Sequence, residues 1–283
     1  MERKLRAASA LFLSLSLAAM SGMLTSCDSA GGLNTSAPSP GGDAGGPPGS
    51  PPVSSRSYTT DFMIFTGSGS WGTEISDVEA LMQANGLSYQ EANSAQLDQM
   101  TPADLADFGV IYIPGGEGQT EADSVSAATH ANLRTAVQSL GVSYVGFCAG
   151  AFVAVAPAPA KGGDVSYGFG VVNGPLLNEY AGPGTNQNYE MTLESFPDGS
   201  TQNILWYGGP VTPNTGVVAK YPTGEPAISE IWSGNGLVII GGLHPDLSQA
   251  SLASLGISPD TSSQDTALKI LDAALNRQPL PTF

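Results

Sequence analysis

The sequence predicts an α/β domain with a mostly parallel central sheet, helices on both faces and an antiparallel extension. Between residues 61 and 156, short apolar segments alternate with segments whose apolar residues recur at helical spacing, which is typical of a parallel sheet. From about residue 164 to residue 240, short apolar segments are separated by closely spaced Gly and Pro, which favours antiparallel strands. Residues 58–283 are long enough for one such domain with a sizeable core.

Each element has its own signal in the chain. The predicted strands are Asp61–Thr66, Leu87–Glu91, Gly109–Ile113, Val142–Phe147, Tyr189–Leu193, Ile204–Tyr207, Gly216–Tyr221, Ala227–Trp232 and Leu237–Ile240. The predicted helices are Glu74–Asn85, one long helix over Ala122–Leu140, Ala149–Ala156, Leu247–Leu255 and Gln264–Arg277. Thr101-Pro102 predicts a further helix start, because Thr caps amino termini and Pro suits the first helical position.

Charge and composition narrow the possible partners and cofactors. The formal net charge is −16 and no cluster of Lys and Arg follows the amino terminus, which argues against nucleic acid and against electrostatic membrane binding. An acidic surface also has a simpler explanation in solubility. With two cysteines and two histidines in the chain, we expect neither a transition-metal site nor another cofactor.

The amino terminus indicates export and lipid anchoring. Arg3, Lys4 and Arg6 precede an apolar run from Ala7 to Met20, which is too short to span a bilayer comfortably and typical of a signal peptide. Residues 24–27 (LTSC) then resemble a bacterial lipobox, so residues 1–26 would be removed and Cys27 lipidated. The alternative is an ordinary secretory signal with a chance cysteine. Residues 27–57, rich in Gly, Pro and Ser, predict a flexible tether, and the whole pattern predicts an extracytoplasmic, membrane-anchored protein.

Cys148 is the candidate nucleophile. It lies in Gly146-Phe147-Cys148-Ala149-Gly150, between a predicted strand and a predicted helix. This pattern is typical of a nucleophile elbow, where small residues two positions before and after avoid clashes around a strained turn. The amino terminus of the helix would favour the reactive thiolate. The alternative is a buried core cysteine beside glycines that serve packing.

Two other segments could complete a catalytic site at the same sheet edge. Gly115 and Gly116 follow the Gly109–Ile113 strand, and their amides with that of Ala149 would form an oxyanion hole. His244 follows the Leu237–Ile240 strand and could act as general base, with Asp246 fixing its tautomer. The alternatives are a plain glycine-rich turn and an aspartate that caps the next helix. His130 lies inside a predicted helix and is interpreted as a surface or satisfied histidine.

Four segments in order carry a family resemblance. They are Ile113-Pro114-Gly115-Gly116-Glu117, residues 144–151 (YVGFCAGA), Tyr207-Gly208-Gly209-Pro210 and Gly242-Leu243-His244-Pro245-Asp246. Together they resemble the amino-terminal domain of eukaryotic-type biotin–protein ligases, within the class I glutamine amidotransferase-like superfamily. The resemblance spans about Asp61 to Arg277 and implies a flavodoxin-like three-layer sandwich.

The resemblance also implies roles for particular residues. It implies a triad of Cys148, His244 and Asp246, although the superfamily has Glu at the third position. It further implies that Tyr207, Gly208 and Gly209 line the pocket. Glu117 falls near the predicted oxyanion-hole turn, where it would either contact polar groups of a ligand as part of the pocket or be solvated.

Three functions remain open from the sequence. The first is a thiol hydrolase that cleaves an amide or ester of a small-molecule or peptide-like substrate. The second is a non-catalytic module that binds a small ligand in the same cleft, and the third is a scaffold lipoprotein with a relic pocket. We expect no biotin ligation, because no biotin-attaching domain or phosphate-binding loop is visible in the chain.

Overall fold

The structure is a computed structural model that describes residues 56–159, 167–182, 189–257 and 263–283. The predicted signal peptide, Cys27 and nearly all of the predicted tether lie outside the described residues. The strands are β1 (Thr60–Phe65), β2 (Tyr89–Ala92), β3 (Phe108–Ile113), β4 (Ser143–Phe147), β5 (Val155–Ala156), β6 (Val172–Asn173), β7 (Tyr189–Ser195), β8 (Thr201–Tyr207), β9 (Val217–Lys220), β10 (Pro226–Ser233), β11 (Gly236–Gly241) and β12 (Leu243–His244). The helices are α1 (Gly72–Ala84), α2 (Ser94–Leu97), α3 (Pro102–Leu105), α4 (Gly118–Asp123), α5 (Ala127–Gln138), α6 (Ala149–Ala154), α7 (Gln249–Ser254) and α8 (Gln264–Asn276).

Ten of the strands form one mixed sheet in the order β12-β8-β7-β9-β10-β11-β4-β3-β1-β2. The run from β2 to β11 is parallel throughout, and every pairing from β11 to β12 is antiparallel. The predicted combination of a parallel core and an antiparallel extension is therefore confirmed. Because parallel strands all end at the same edge, the loops after β1, β3, β4 and β11 come together there.

The core lies on both faces of the sheet because side chains alternate along each strand. On β1, Met63 and Phe65 join one apolar cluster, which also receives residues from α5 and α6. Phe62 and Ile64 join the other, which receives residues from α1 and α8. Burying each such side chain stabilises the fold by roughly 1.5–3 kcal/mol before entropy is counted.

The prediction of one long helix over Ala122–Leu140 is wrong. The chain forms α4 and then α5, with residues 124–126 between them. Ser126 starts the second helix, since its hydroxyl accepts a hydrogen bond from the Thr129 amide. The helix predicted to reach Ala156 ends at Ala154, because Val155 and Ala156 pair with β6 as strand β5.

No helix in the described part of the chain combines the length and the apolar character that crossing a lipid bilayer requires.

Candidate functional site

Cys148 lies at the turn between β4 and α6 in the strained backbone that a nucleophile elbow requires. Its φ is 47° and its ψ is −107°, and its amide donates to the Gly241 carbonyl at 2.8 Å. Glycine is required on both sides. A Cβ on Gly146 would lie 2.5 Å from the Gly150 oxygen, and one on Gly150 would lie 2.1 Å from the Ile113 oxygen. The spacing that identified the elbow in the sequence therefore has a steric cause.

Three functional side chains converge around Gly115, which directly follows Pro114 at the end of β3. A Cβ on Gly115 would lie 2.5 Å from His244 Cε1, 2.6 Å from Glu74 Oε2 and 3.2 Å from Cys148 Cβ. Glycine leaves the space in which the thiol, the imidazole and a carboxylate meet. Cys148 and His244 are thus brought together, as predicted from their positions after neighbouring strands.

The carboxylate that contacts His244 is Glu74, in the first turn of α1. His244 Nδ1 and Glu74 Oε2 are 2.8 Å apart, and both side chains are almost completely buried. The expected partner, Asp246, forms no hydrogen bond with His244 among the described residues. We correct that assignment: α1 packs over the sheet edge and delivers Glu74 to Nδ1, while Asp246 is turned toward Tyr112.

Asp246 instead supports Glu74 through Tyr112. The Tyr112 hydroxyl lies 3.1 Å from Glu74 Oε1 and also contacts Asp246 Oδ2. Burial, followed by the nearby Glu74 charge, raises the pKa of Asp246 well above its ordinary value. The Tyr112 hydroxyl is the donor between the two carboxyl groups and links Asp246 to Glu74. This chain of hydrogen bonds fixes Glu74 against His244.

The surroundings of His244 stabilise the imidazolium that forms when the ring accepts a proton. Burial alone would lower its pKa, but Glu74 and then Cys148 raise the pKa well above its ordinary value. The Cys148 Sγ donates to the Tyr207 carbonyl at 3.3 Å. His244 Nε2 has no hydrogen-bond partner in strict geometry among the described residues. The thiol is therefore close enough to His244 to raise its pKa through charge and hydrogen bonding, while Sγ is aligned with the Tyr207 carbonyl.

The predicted oxyanion hole needs one correction. The Gly115 amide donates to Glu74 Oε1 at 3.0 Å, so it holds the carboxylate and is not free for a substrate oxygen. Gly116 and Ala149 both line the cavity beside Cys148. Neither of their amides has a hydrogen-bond acceptor among the described residues. Gly116 has a φ of 149°, and a Cβ there would lie 2.0 Å from the Gly69 oxygen, so only glycine fits.

Cys148 and His244 open onto a cavity of about 1130 Å³. Of the residues predicted to line the pocket, Glu117, Tyr207 and Gly208 do so. Gly209 does not belong to the lining. Its carbonyl accepts from the Trp206 indole and the Tyr180 amide at 3.0 Å each, which holds the loop that carries Tyr207.

Comparisons with known proteins find distant structural similarity. No family model matches the chain, and no curated protein matches it. A solved glutamine amidotransferase is 15% identical, with a TM-score of 0.48, over 69% of this chain and 99% of its own. A ThuA-like protein from Bacteroides uniformis is 12% identical, with a TM-score of 0.47, over 82% and 97% of the two chains. An exo-β-1,4-mannosidase from an Opitutaceae bacterium is 13% identical, with a TM-score of 0.44, over 77% of this chain and 36% of its own.

Two residues that sequence reasoning missed shape the site. Besides Glu74, Trp71 packs edge-on against His244 with ring centroids 5.2 Å apart, and edge-on against Tyr207 at 5.7 Å. The Trp71 amide donates to the Gly115 carbonyl at 2.8 Å, so the start of α1 is fastened to the turn after β3. Trp71 stands directly before a predicted helix and after Gly67-Ser68-Gly69, which is the one local signal that could have indicated it.

Glu74, His244 and Asp246 also approach the spacing of metal ligands. One ligand atom from each lies within 4.8 Å of the others. Both oxygens of Glu74 already accept hydrogen bonds, from Gly115 and Tyr112 on one side and from His244 on the other. A metal ion would have to displace this network, so the donor set fits a hydrogen-bonded site better.

His130 is buried on α5 and its Nε2 lies 2.9 Å from the Ala122 carbonyl. Its side chain packs edge-on against Phe169 and lines none of the cavity beside Cys148. This agrees with its interpretation as a satisfied structural histidine.

Proposed function

We propose that the chain is a thiol hydrolase that cleaves an amide or an ester through a covalent intermediate on Cys148. The observation that supports this most is that Cys148, His244 and Glu74 meet around Gly115, beside a cavity. The backbone amides of Gly116 and Ala149 line this cavity and have no hydrogen-bond acceptor among the described residues. The proposal includes the flavodoxin-like, amidotransferase-like architecture expected from the sequence, and replaces Asp246 by Glu74 as the partner of His244.

The reaction follows from the positions of these groups. His244 Nε2 accepts the Cys148 proton, and the thiolate attacks the substrate carbonyl carbon while the Gly116 and Ala149 amides stabilise the oxyanion. Collapse of this intermediate expels the amine or alcohol, which takes the proton from His244. Water, deprotonated by His244, then hydrolyses the thioester and restores the thiol. Proton transfer by such a positioned base contributes about 10²–10⁴-fold to the rate.

Acylation by p-nitrophenyl acetate tests the proposal in the full chain carrying Cys27→Ser, which leaves Cys148 as the one remaining cysteine. We expect a burst of p-nitrophenol equal to the protein concentration and an acetyl group on the Cys148 peptide. Cys148→Ala should abolish both, and His244→Gln should slow the burst about 10²-fold or more. A Cys148 that forms no acetyl adduct and reacts with iodoacetamide no faster than a simple thiol would refute the proposal.

A second candidate is a module that binds a small ligand without turnover. The specific observation in its favour is the Cys148 Sγ hydrogen bond to Tyr207, which turns the thiol away from strict alignment with His244 Nε2. A ligand held in the cavity with no covalent adduct would support this function over hydrolysis. A scaffold with a relic pocket is disfavoured, because side chains do not fill the cavity.

We also propose that the protein is exported and anchored through a lipid on Cys27, which rests on the signal-peptide and lipobox patterns of residues 1–27. Cys27→Ser should move the protein from the membrane fraction to the soluble fraction of the cells that produce it. An unchanged distribution would count against the anchor.

A further inference from the structure

The walls of the cavity beside Cys148 carry acids and aromatic rings. The lining includes two carboxylates, Glu117 and Glu179, and no Lys or Arg among the residues that the structure describes. The aromatic residues of the lining are Trp71, Phe152, Tyr167, Trp206 and Tyr207. Apart from the His244 imidazole and the Gly116 and Ala149 amides, which the proposed reaction uses, the described lining holds no cationic group that would pair with a carboxylate, phosphate or sulfonate elsewhere on a substrate.

The two carboxylates stand on separate loops that meet at the cavity. Glu117 follows Gly116, and its amide donates to the Gly69 carbonyl at 2.9 Å, which fixes the loop after β3. Glu179 pairs with Pro210 and lies beside Gly208, where a Cβ would be 3.8 Å from its carboxylate. Neither carboxylate has a hydrogen-bond or ion-pair partner in the described part of the chain. Both charges are therefore available to a ligand.

The aromatic rings add a second attraction for positively charged groups. Trp71 and Tyr207 pack edge-on with ring centroids 5.7 Å apart, and Tyr207 is 39% exposed. Faces of Trp and Tyr that border a cavity attract ammonium groups through the ring quadrupole. His244 also lines the cavity and is buried, and its Nε2 has no hydrogen-bond partner of strict geometry among the described residues.

We propose that the cavity selects substrates that carry a positive charge beside the carbonyl attacked by Cys148, such as amides or esters with an amino or quaternary ammonium group. The reaction in this statement rests on the proposed hydrolase function, whereas the selection for charge rests on the lining of the cavity. Substrates with a carboxylate or phosphate near the reacting carbonyl are disfavoured, because Glu117 and Glu179 repel them.

Charged thiol reagents test the selection directly. In the full chain with Cys27→Ser, Cys148 is modified by three methanethiosulfonates. The Cys148 thiolate displaces methanesulfinate and takes up a trimethylammonioethylthio, a sulfonatoethylthio or a methylthio group, which forms a mixed disulfide. Each rate, followed by the mass of the intact protein, is divided by the rate of the same reagent with a simple thiol. We expect the corrected rate of the cationic reagent to exceed that of the anionic one by at least about tenfold.

Glutamate variants distinguish the effect of the cavity lining from the effect of the protein's overall negative charge. Glu117→Gln with Glu179→Gln should reduce the preference for the cation at least about threefold, whereas Glu225→Gln, an exposed glutamate outside the cavity lining, should leave it unchanged. Equal thermal unfolding midpoints of the variants would show that the fold is retained. If Glu225→Gln lowers the preference as much per charge removed as the double variant does, the net charge of −16 explains the preference and the proposal fails.

The uncharged methyl reagent distinguishes the proposed hydrolase function from the proposed selection for positive charge. A slow reaction with the methyl reagent, together with a retained preference for the cation, would refute the activated thiol and leave charge selection standing. A fast reaction with the methyl reagent and equal corrected rates for both charged reagents would overturn charge selection and leave the hydrolase standing.

Discussion

At the scale of single residues, Glu74 is the carboxylate on which the reactivity of Cys148 depends most. Glu74→Gln keeps the shape of the side chain but removes the charge that favours the His244 imidazolium. We expect alkylation of Cys148 by iodoacetamide at neutral pH to slow by about tenfold or more, equivalent to about 1.4 kcal/mol. The measurement is the second-order rate as a function of pH, in the chain with Cys27→Ser.

Asp246→Asn is the matched control for this substitution. Asp246 Oδ2 accepts from the Tyr112 hydroxyl, and the oxygen of an asparagine amide can accept in the same place, so we expect a change smaller than about threefold. A larger loss for Asp246→Asn than for Glu74→Gln would restore Asp246 to the role that the sequence suggested.

The parts of the site that the sequence reveals are those encoded in short segments. Cys148, His244, Gly116 and Ala149 are predicted because each follows an apolar strand and lies within two residues of a glycine. Glu74 could not be found this way. It lies 170 residues before His244, and their contact arises from the packing of α1 over the sheet edge. The helical pattern around Glu74 shows which face of α1 is buried, but not which residue that face will meet.

At the scale of elements, the elbow depends on a close approach between α6 and the end of β3. Gly150→Ala would place a Cβ 2.1 Å from the Ile113 oxygen, and because that atom belongs to the backbone the turn must shift. We expect a loss of about 1–3 kcal/mol in the free energy of unfolding, measured by urea denaturation. Gly72→Ala, where nothing lies within 4 Å of the new atom, should change stability by no more than about 1 kcal/mol. Equal losses for both variants would contradict this account of the elbow.

Strands were easier to predict than helices, for a physical reason. A buried strand such as β3 is a continuous apolar run that ends at glycine or proline, so its bounds are local. The break between α4 and α5 was missed because Val125 continues the apolar spacing through it. Ser126, which caps α5, was the signal that separates the two helices. The short strand β5 was missed because its identity depends on pairing with β6, 17 residues further on.

At the scale of the whole molecule, folding buries several acids that have no countercharge among the described residues. Burial raises the pKa of Glu194 to about 8 and that of Glu230 to about 7. Burial also raises the pKa of Glu121 well above its ordinary value. These groups keep a proton in the folded chain at pH values where the unfolded chain has lost it. The folded state therefore binds more protons than the unfolded state between about pH 4.5 and pH 8.

Because the folded state binds more protons, the free energy of unfolding should fall as pH rises from about 4.5 to about 8. Each buried acid removes up to about 1.4 kcal/mol per pH unit from the free energy of unfolding, until its folded pKa is reached. Urea denaturation should give a higher midpoint at pH 5 than at pH 8. Glu194→Gln, which retains the uncharged shape, should reduce that difference, whereas Glu225→Gln at the surface should not. A midpoint that rises from pH 5 to pH 8 would mean that these carboxyls ionise inside the fold, compensated by movements that expose them to water.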